Sequence, residues 1–298
     1  MLDDLGEIVE VVEVSLLHPT SALSTNVDNM SAFCSLREHR PRMHPVATES
    51  HDRRHFMEPV LFYGNHAASS FGSIVALEWL GQPYRLSRLN LPFDAKSDSF
   101  TRINPVQKVP TLLRESGVPL SESSAILQHL AGRDPRRTLV YAPGSPEQDH
   151  LNQVLAFLHT DFWASFFPGF EAYDMELTGE KNPAMQEMLR HSGRKRVAKA
   201  HADLERMMGN NEWLAGDKRT IADAYFIGVA RWAPFLAATG AKMIDPRDYP
   251  RLLRHYEKLE ADPAVIFAHA IEDEKPATSA GGFLGHLSLE EVQTRIAR

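Results

Sequence analysis

Residues 103–128 gather an extended backbone edge, a carboxylate and two hydroxyls in one short stretch. They read Ile-Asn-Pro-Val-Gln-Lys-Val-Pro-Thr-Leu-Leu, a turn at Gly117, then Leu-Ser-Glu-Ser-Ser-Ala-Ile-Leu. Val109-Pro110 precedes the apolar run 111–113, which reads as a strand. Proline has no N–H to give to a ladder, so it belongs at the edge or bend of a sheet. An X-Pro bond in the cis form would turn the Val109 N–H and C=O outward. Gly117 supplies a hairpin turn between 111–114 and 118–120. Ser121 or Glu122 then opens a helix whose first turn offers unpaired N–H groups to an anion. Glu122 contributes a negative charge, and Ser123 and Ser124 contribute hydroxyls. A small peptide with a free ammonium and a free carboxylate at one end would match these groups. A plain Pro-edged hairpin followed by a capped helix is the alternative that the residues alone leave open.

The pattern Val-Pro-(apolar)…Glu-Ser-x-Ala-Ile at this spacing resembles the glutathione-binding half of the glutathione transferase family, and the resemblance spans residues 58–275. It implies that the backbone at Val109 and Pro110 pairs with the cysteinyl unit of glutathione like an added strand. Glu122 would take the γ-glutamyl ammonium, and Ser123 with the helix N-terminus the α-carboxylate. A transferase of this kind needs the thiol ionised near neutrality, whereas a free thiol has a pKa of about 8.5. Each unit of lowering requires about 1.4 kcal/mol. A hydroxyl donating to a charged acceptor supplies ~1.5–3 kcal/mol, and a helix N-terminus adds ~0.3–1 kcal/mol. One well-placed serine at a helix start would therefore suffice.

Ser69 and Ser70 occupy such a start. The family places its catalytic serine ahead of x-Phe-x-x-x-Val/Ile, and Ser69-Ser70-Phe71 followed by Val75 assigns the role to Ser69, with Ser70 as the fallback. Service as a helix cap is the bland reading of Ser69. The bacterial beta class carries Cys one position earlier, where this chain has Ala68, so mixed-disulfide chemistry is not expected. The zeta (maleylacetoacetate isomerase) pattern wants Ser-Ser-Cys, which Ala67-Ala68-Ser69 does not supply. Arg231-Trp232-Ala233 resembles the beta class, so the chain is similar to a beta-like class with Ser in place of its cysteine. Leu158-His159-Thr160 resembles that class's segment whose His lies near glutathione; a register one helical turn later would put Trp163 there instead. Phe71, Trp163, Phe166, Phe167 and Trp232 are candidates for an apolar electrophile pocket, although aromatics at helical spacing more often form core. The implied function is conjugation of the glutathione thiolate to small hydrophobic electrophiles, a detoxifying activity of a cytoplasmic homodimer, with glutathione as co-substrate and no metal. A non-catalytic glutathione- or protein-binding module of the same fold, or a glutathione-dependent dehalogenase or ether-cleaving relative, are the alternatives.

The elements that must position these residues follow from periodicity. Val60–Tyr63 reads as a buried strand ended by Gly64-Asn65; Ile74, Leu77 and Leu80 form a helical stripe stopped at Gly81; Pro83–Leu89 is a second strand, and Leu91–Thr101 a loop with a helical turn. With the hairpin and the helix after it, residues 57–133 fit a thioredoxin-like α/β domain with a mixed sheet. A turn-rich linker with Asp134-Pro135 and Pro143–Pro146 leads to residues 147–272, which are periodic only as helices: about 149–166, 185–208, 220–238, 249–260 and 264–271. Pro168 and Gly169 are expected to end the first of these. Thr220-Ile-Ala-Asp223 reads as a capping box with a folding role and no chemistry. Residues 273–298 are expected to be a tail.

Composition excludes several classes. A formal charge of −7 argues against a nucleic-acid binder, and no apolar stretch approaches membrane-spanning length. Cys34 is the only cysteine, so an internal disulfide, a CxxC pair or a thiolate metal site is not possible within the chain. Residues 1–56 are aperiodic and, from 36 on, crowded with Arg, His and Pro; they read either as a disordered extension, dispensable for the domain that begins at Met57, or as residues upstream of a start at Met57. His51 and His55 stand four apart, but with no helix or acidic ligand near them metal binding is not expected.

Overall fold

The computed structural model describes residues 58–65 and 67–296. The expectations for residues 1–56, including Cys34, His51, His55 and the start at Met57, lie outside the described residues.

The α/β part runs β1 (Val60–Tyr63), α1 (Phe71–Leu80), β2 (Pro83–Arg88), α2 (Asp98–Thr101), β3 (Thr111–Leu113), β4 (Pro119–Ser121) and α3 (Ser123–Gly132). All four residues of β1 are buried, as a strand covered on both faces requires. Leu61 and Tyr63 point to the side of α1 and α3, whereas Val60 and Phe62 join Leu89, Phe100 and Ile103 on the other side. Strand β1 pairs parallel with β2 and antiparallel with β3, and β3 pairs antiparallel with β4 across the Gly117 turn. Gly117 has φ +75°, the left-handed conformation that favours glycine there. This is the expected thioredoxin-like unit.

The helical part comprises α4 (Pro146–Phe157), a π-helical turn (Leu158–Phe162), α5 (Trp163–Ser165), α6 (Phe167–Leu177), α7 (Pro183–Met208), α8 (Ile221–Ala230), α9 (Trp232–Ala238), α10 (Pro250–Glu260) and α11 (Pro263–Glu272). Every residue of α8 is buried. Its start carries the capping box: Asp223 accepts from the Thr220 N–H at 2.7 Å, from the Leu214 N–H at 3.0 Å, and lies 2.9 Å from His255 Nε2. Pro168 and Gly169 do not terminate a helix. They sit in the first turn of α6, where the missing proline N–H would have no helical partner anyway. Close crossing of α6 and α7 favours glycine at 193, where a Cβ would stand 3.2 Å from Gly169 N, while a Cβ on Gly169 itself would meet the Leu236 and Met243 side chains at 3.0 and 3.1 Å.

The expected tail, 273–298, is instead structured through residue 296. Residues 282–286 form β5 (Gly282–His286), which pairs parallel with β2, giving the order β4-β3-β1-β2-β5. Helix α12 (Leu289–Ile296) follows, and its Val292 completes the apolar layer around Val60 and Phe62. The return is anchored by the buried Glu78 carboxylate, which accepts from the hydroxyls of Tyr84 and Ser279 and the N–H groups of Ala280 and Gly281. The Gly-rich run lacks strand periodicity because the backbones approach so closely: a Cβ on Gly282 would lie 2.1 Å from the Gln82 carbonyl.

Candidate active site

The site forms where the start of α1, the cis bond before β3 and the start of α3 meet helix α8. Val109-Pro110 is cis, and the β1–β3 ladder begins only at Thr111, so the Val109 backbone stands outside it. Ser69, half-buried in the turn before α1, points its hydroxyl at the Val109 carbonyl, 3.4 Å away. Two segments forty residues apart in sequence thus converge. Ser70 is placed differently. It is wholly buried, and its Oγ accepts from the Gly64 N–H at 3.4 Å, so it secures the loop from within.

Glu122 takes the N-cap position of α3 without using its side chain as a cap. The carboxylate is exposed, and Ser123 is the first helical residue. Glu122 has φ +73° and ψ +121°, a conformation that a side-chain-bearing residue adopts at a cost of about 1–3 kcal/mol. A strained backbone that presents a carboxylate beside free helix N–H groups is the kind of outlier that marks a binding position.

On the helical side, His159 and Trp163 lie side by side. The π turn keeps His159 stacked on Trp163, with ring centroids 5.9 Å apart and planes inclined by 13°. A π turn shifts side chains round the helix by about one position, and such turns recur at functional sites. His159 Nδ1 lies 3.1 Å from the Tyr225 hydroxyl. Burial, and next the negative charge of Glu122, push the Tyr225 phenol above its ordinary range, so it stays protonated at neutral pH. Tyr225 therefore links the two halves of the site. The sequence reading missed it because a Tyr inside a uniformly apolar helix looks like core; the Asp223 cap two residues before it was the only positional clue.

Three of the five expected pocket aromatics are core. Phe71 is fully buried beneath the Arg231 guanidinium, 4.1 Å from its ring centre, and against His269. Phe166 is fully buried edge-on to Phe162 and Trp232. Trp232 is buried and acts through its indole N–H, which donates to the Ala67 carbonyl at 2.8 Å. None of the three presents surface to a substrate, because their aromatic spacing serves the packing of α8 and α9. Trp163 remains, half-buried and edge-on to the equally half-buried Phe167 at 4.3 Å.

Arg231 and Trp232 hold the loop that carries Ser69. Arg231 donates to the Ala68 carbonyl at 2.7 Å and to the Gly228 carbonyl at 3.2 Å. Its guanidinium is neutralised by a two-pronged pair with the buried Glu272 carboxylate at 2.7 and 2.9 Å. Consecutive residues of the helical part thus fix consecutive carbonyls ahead of Ser69, including that of Ala67, which has φ +63°. Close approach of α1 and α8 permits this. A Cβ on Gly72 would lie 2.2 Å from the Ala224 carbonyl, and one on Gly228 would lie 2.9 Å from Gly72 N.

Comparison with known proteins identifies the family. The family descriptions of the glutathione S-transferase N-terminal and C-terminal domains match residues 73–138 and 154–263. Glutathione S-transferase GstA of Escherichia coli O157:H7 is 29% identical over 175 residues, 58% of this chain and 81% of that protein. A maleylacetoacetate isomerase of Pseudomonas aeruginosa is 25% identical over 218 residues, 71% of this chain and 96% of that protein. Among solved structures, a sphingomonad glutathione S-transferase complexed with glutathione superposes with a TM-score of 0.60 at 28% identity, over 72% of this chain and 98% of that one. With both domain descriptions matched in order over more than half its length, the chain belongs to the glutathione S-transferase family.

Proposed function

We propose that this glutathione S-transferase binds glutathione along Val109, Glu122 and Ser123 and adds its thiolate to a small apolar electrophile, with Ser69 as the thiolate's hydrogen-bond donor. The observation that carries the reading is the 3.4 Å approach of the Ser69 hydroxyl to the Val109 carbonyl. A cysteinyl unit paired with the Val109 backbone would place its sulfur next to that hydroxyl. The exposed Glu122 carboxylate suits the γ-glutamyl ammonium, and the free N–H groups of the first turn of α3 suit the adjoining carboxylate. His159, Trp163, Phe167 and Tyr225 supply a partly apolar wall with polar tips, where an aromatic electrophile would meet the sulfur. A binding module without catalysis would not need the Ser69 hydroxyl so placed, and a dehalogenase would share this geometry and differ only in leaving group.

Capture on immobilised glutathione, followed by turnover of a panel of electrophiles, tests the reading. Retention on the resin with conjugate formed from at least one apolar electrophile supports it. Retention with no product from any would leave only the binding half standing, and failure to bind would overturn both.

A further inference from the structure

The loop that carries Ser69 starts directly after Tyr63, the last residue of β1. At its other end the carbonyls of Ala67 and Ala68 are held from the helical part. One side chain outside the loop reaches both ends. Arg88 is the last residue of β2, and in the parallel pairing of the two strands it stands opposite Tyr63. Its guanidinium lies beside the Tyr63 hydroxyl, where its charge opposes the rise that burial causes in the phenol's pKa. That hydroxyl is 3.0 Å from Nε2 of His286, the last residue of β5, so the late strand closes the cluster. The second end is reached through α11. Arg88 Nη1 donates to the Glu272 carbonyl at 3.3 Å, and Nη2 pairs with Glu274 at 3.1 Å. The side chain of that same Glu272 holds Arg231, which donates to the Ala68 carbonyl at 2.7 Å.

The ion pair with Glu274 does not by itself account for Arg88. The Glu274 side chain is 70% exposed, and so hydrated a pair contributes little. The arrangement instead uses what distinguishes a guanidinium, several N–H donors fixed in one plane. Tyr63, Glu272 and Glu274 belong to β1, to the end of α11 and to the chain that follows it. An ammonium on a flexible stem is a single point of charge and cannot span all three.

We propose that Arg88 is a positioning residue for thiol transfer, which fixes the loop after Tyr63 at both of its ends and so aims the Ser69 hydroxyl. The proposal rests on the assignment of Ser69 made above and adds a residue that acts through the loop, not on the thiol.

Arg88→Ala in the full chain tests it. The Ala68 amide, which donates to the Asn65 carbonyl at 3.1 Å, reports on the loop. Its hydrogen exchange should quicken about tenfold while amides within α8 keep the parental rate. With a chromogenic electrophile, kcat should fall about ten- to a hundredfold at an unchanged KM for glutathione, as misplacement of a reacting group does. In a Ser69→Ala background Arg88→Ala should slow turnover no further, because the group that it aims is gone. Should Arg88→Ala fail to fold, Arg88→Lys keeps the charge and the stem and should show the same slowing. Parental exchange at Ala68, parental kcat, a loss confined to KM, or full activity in Arg88→Lys would overturn the proposal. Two further outcomes separate it from the assignment beneath it. A full additional loss in the Ser69→Ala background would overturn the role of Arg88 and leave Ser69 in place. Parental turnover in Ser69→Ala alone would overturn the assignment of Ser69, and this proposal with it.

Discussion

Removing Glu272 tests whether the helical part positions the Ser69 loop or merely packs on it. Its carboxylate has no exposed side-chain surface, and it neutralises Arg231, whose side chain is 9% exposed. Glu272→Leu would leave a guanidinium buried without its counter-charge, a loss of ~3–5 kcal/mol. For a folded unit of this size that lowers the melting temperature by about 10 °C. Combining it with Arg231→Met removes both charges and replaces them with apolar volume, which typically restores most of the stability. The loop is not restored, because Ala68 then lacks the donor that holds its carbonyl at 2.7 Å. The double variant should therefore melt near the parent yet turn over a chromogenic electrophile about ten- to a hundredfold more slowly, as small misplacements of reacting groups do. Ultraviolet absorbance of the bound thiolate, followed against pH, should show the glutathione pKa raised. Parental turnover and thiolate titration in a stable double variant would refute the reasoning, because Arg231 would then matter to folding alone.

Ser69→Ala should raise the pKa of bound glutathione while calorimetric affinity changes little; an unaltered titration curve would remove Ser69 from the chemistry. Glu122→Ala and Glu122→Gly should both lose glutathione affinity, but Gly should unfold in urea at higher concentration than Ala, by about 1 kcal/mol, because φ +73° is unstrained only for glycine. Gly72→Ala should destabilise by about 1–3 kcal/mol or more, because the backbone carbonyl 2.2 Å from the new methyl group cannot swing aside as a side chain would. His201 is held neutral, with a folded pKa of about 4 against about 6.5 unfolded, so the unfolded chain binds more protons between those values. Its contribution to stability is complete above about pH 6.5 and fades as pH falls to about 4. Denaturant midpoints across that range should fall less steeply for His201→Phe than for the parent.

The α/β core and the hairpin and helix start around Val109 and Glu122 were legible because each rests on local chemistry. Val109-Pro110, Gly117 and the Glu122-Ser123 helix start each have few conformations open to them, and their order restricts the fold further. Ser69 was legible by position, as a hydroxyl just before a helix. The aromatics were not, because periodicity locates a residue on a helix face but cannot say whether that face meets a pocket or another helix. Phe71, Phe166 and Trp232 went to the core for that reason, while Tyr225, hidden in a wholly apolar helix, went unnoticed. Helix α6 was missed because Pro168-Gly169 reads as a break, whereas proline in a first turn and glycine at a helix crossing are both compatible with continuation. Strand β5 was missed because its pairing partner lies some two hundred residues earlier and its glycines obscure any alternation.

That late strand has a consequence for the order in which the protein can be made. Emerging from the ribosome, β1 to α3 have their own hairpin and helices but not the neighbour that covers the far side of β2. Only after the whole helical part has been synthesised does Gly282–His286 arrive to complete the sheet. Through that interval β2 presents unpaired N–H and C=O groups of the kind that recruit strands from other chains, and Glu78 waits without the Ser279–Gly281 donors that it later engages. Completion of the first-made sheet is thus tied to release of the last-made residues. A chain cut short between residues 272 and 282 would resemble a permanent nascent intermediate, with intact site residues and a sheet still open to association.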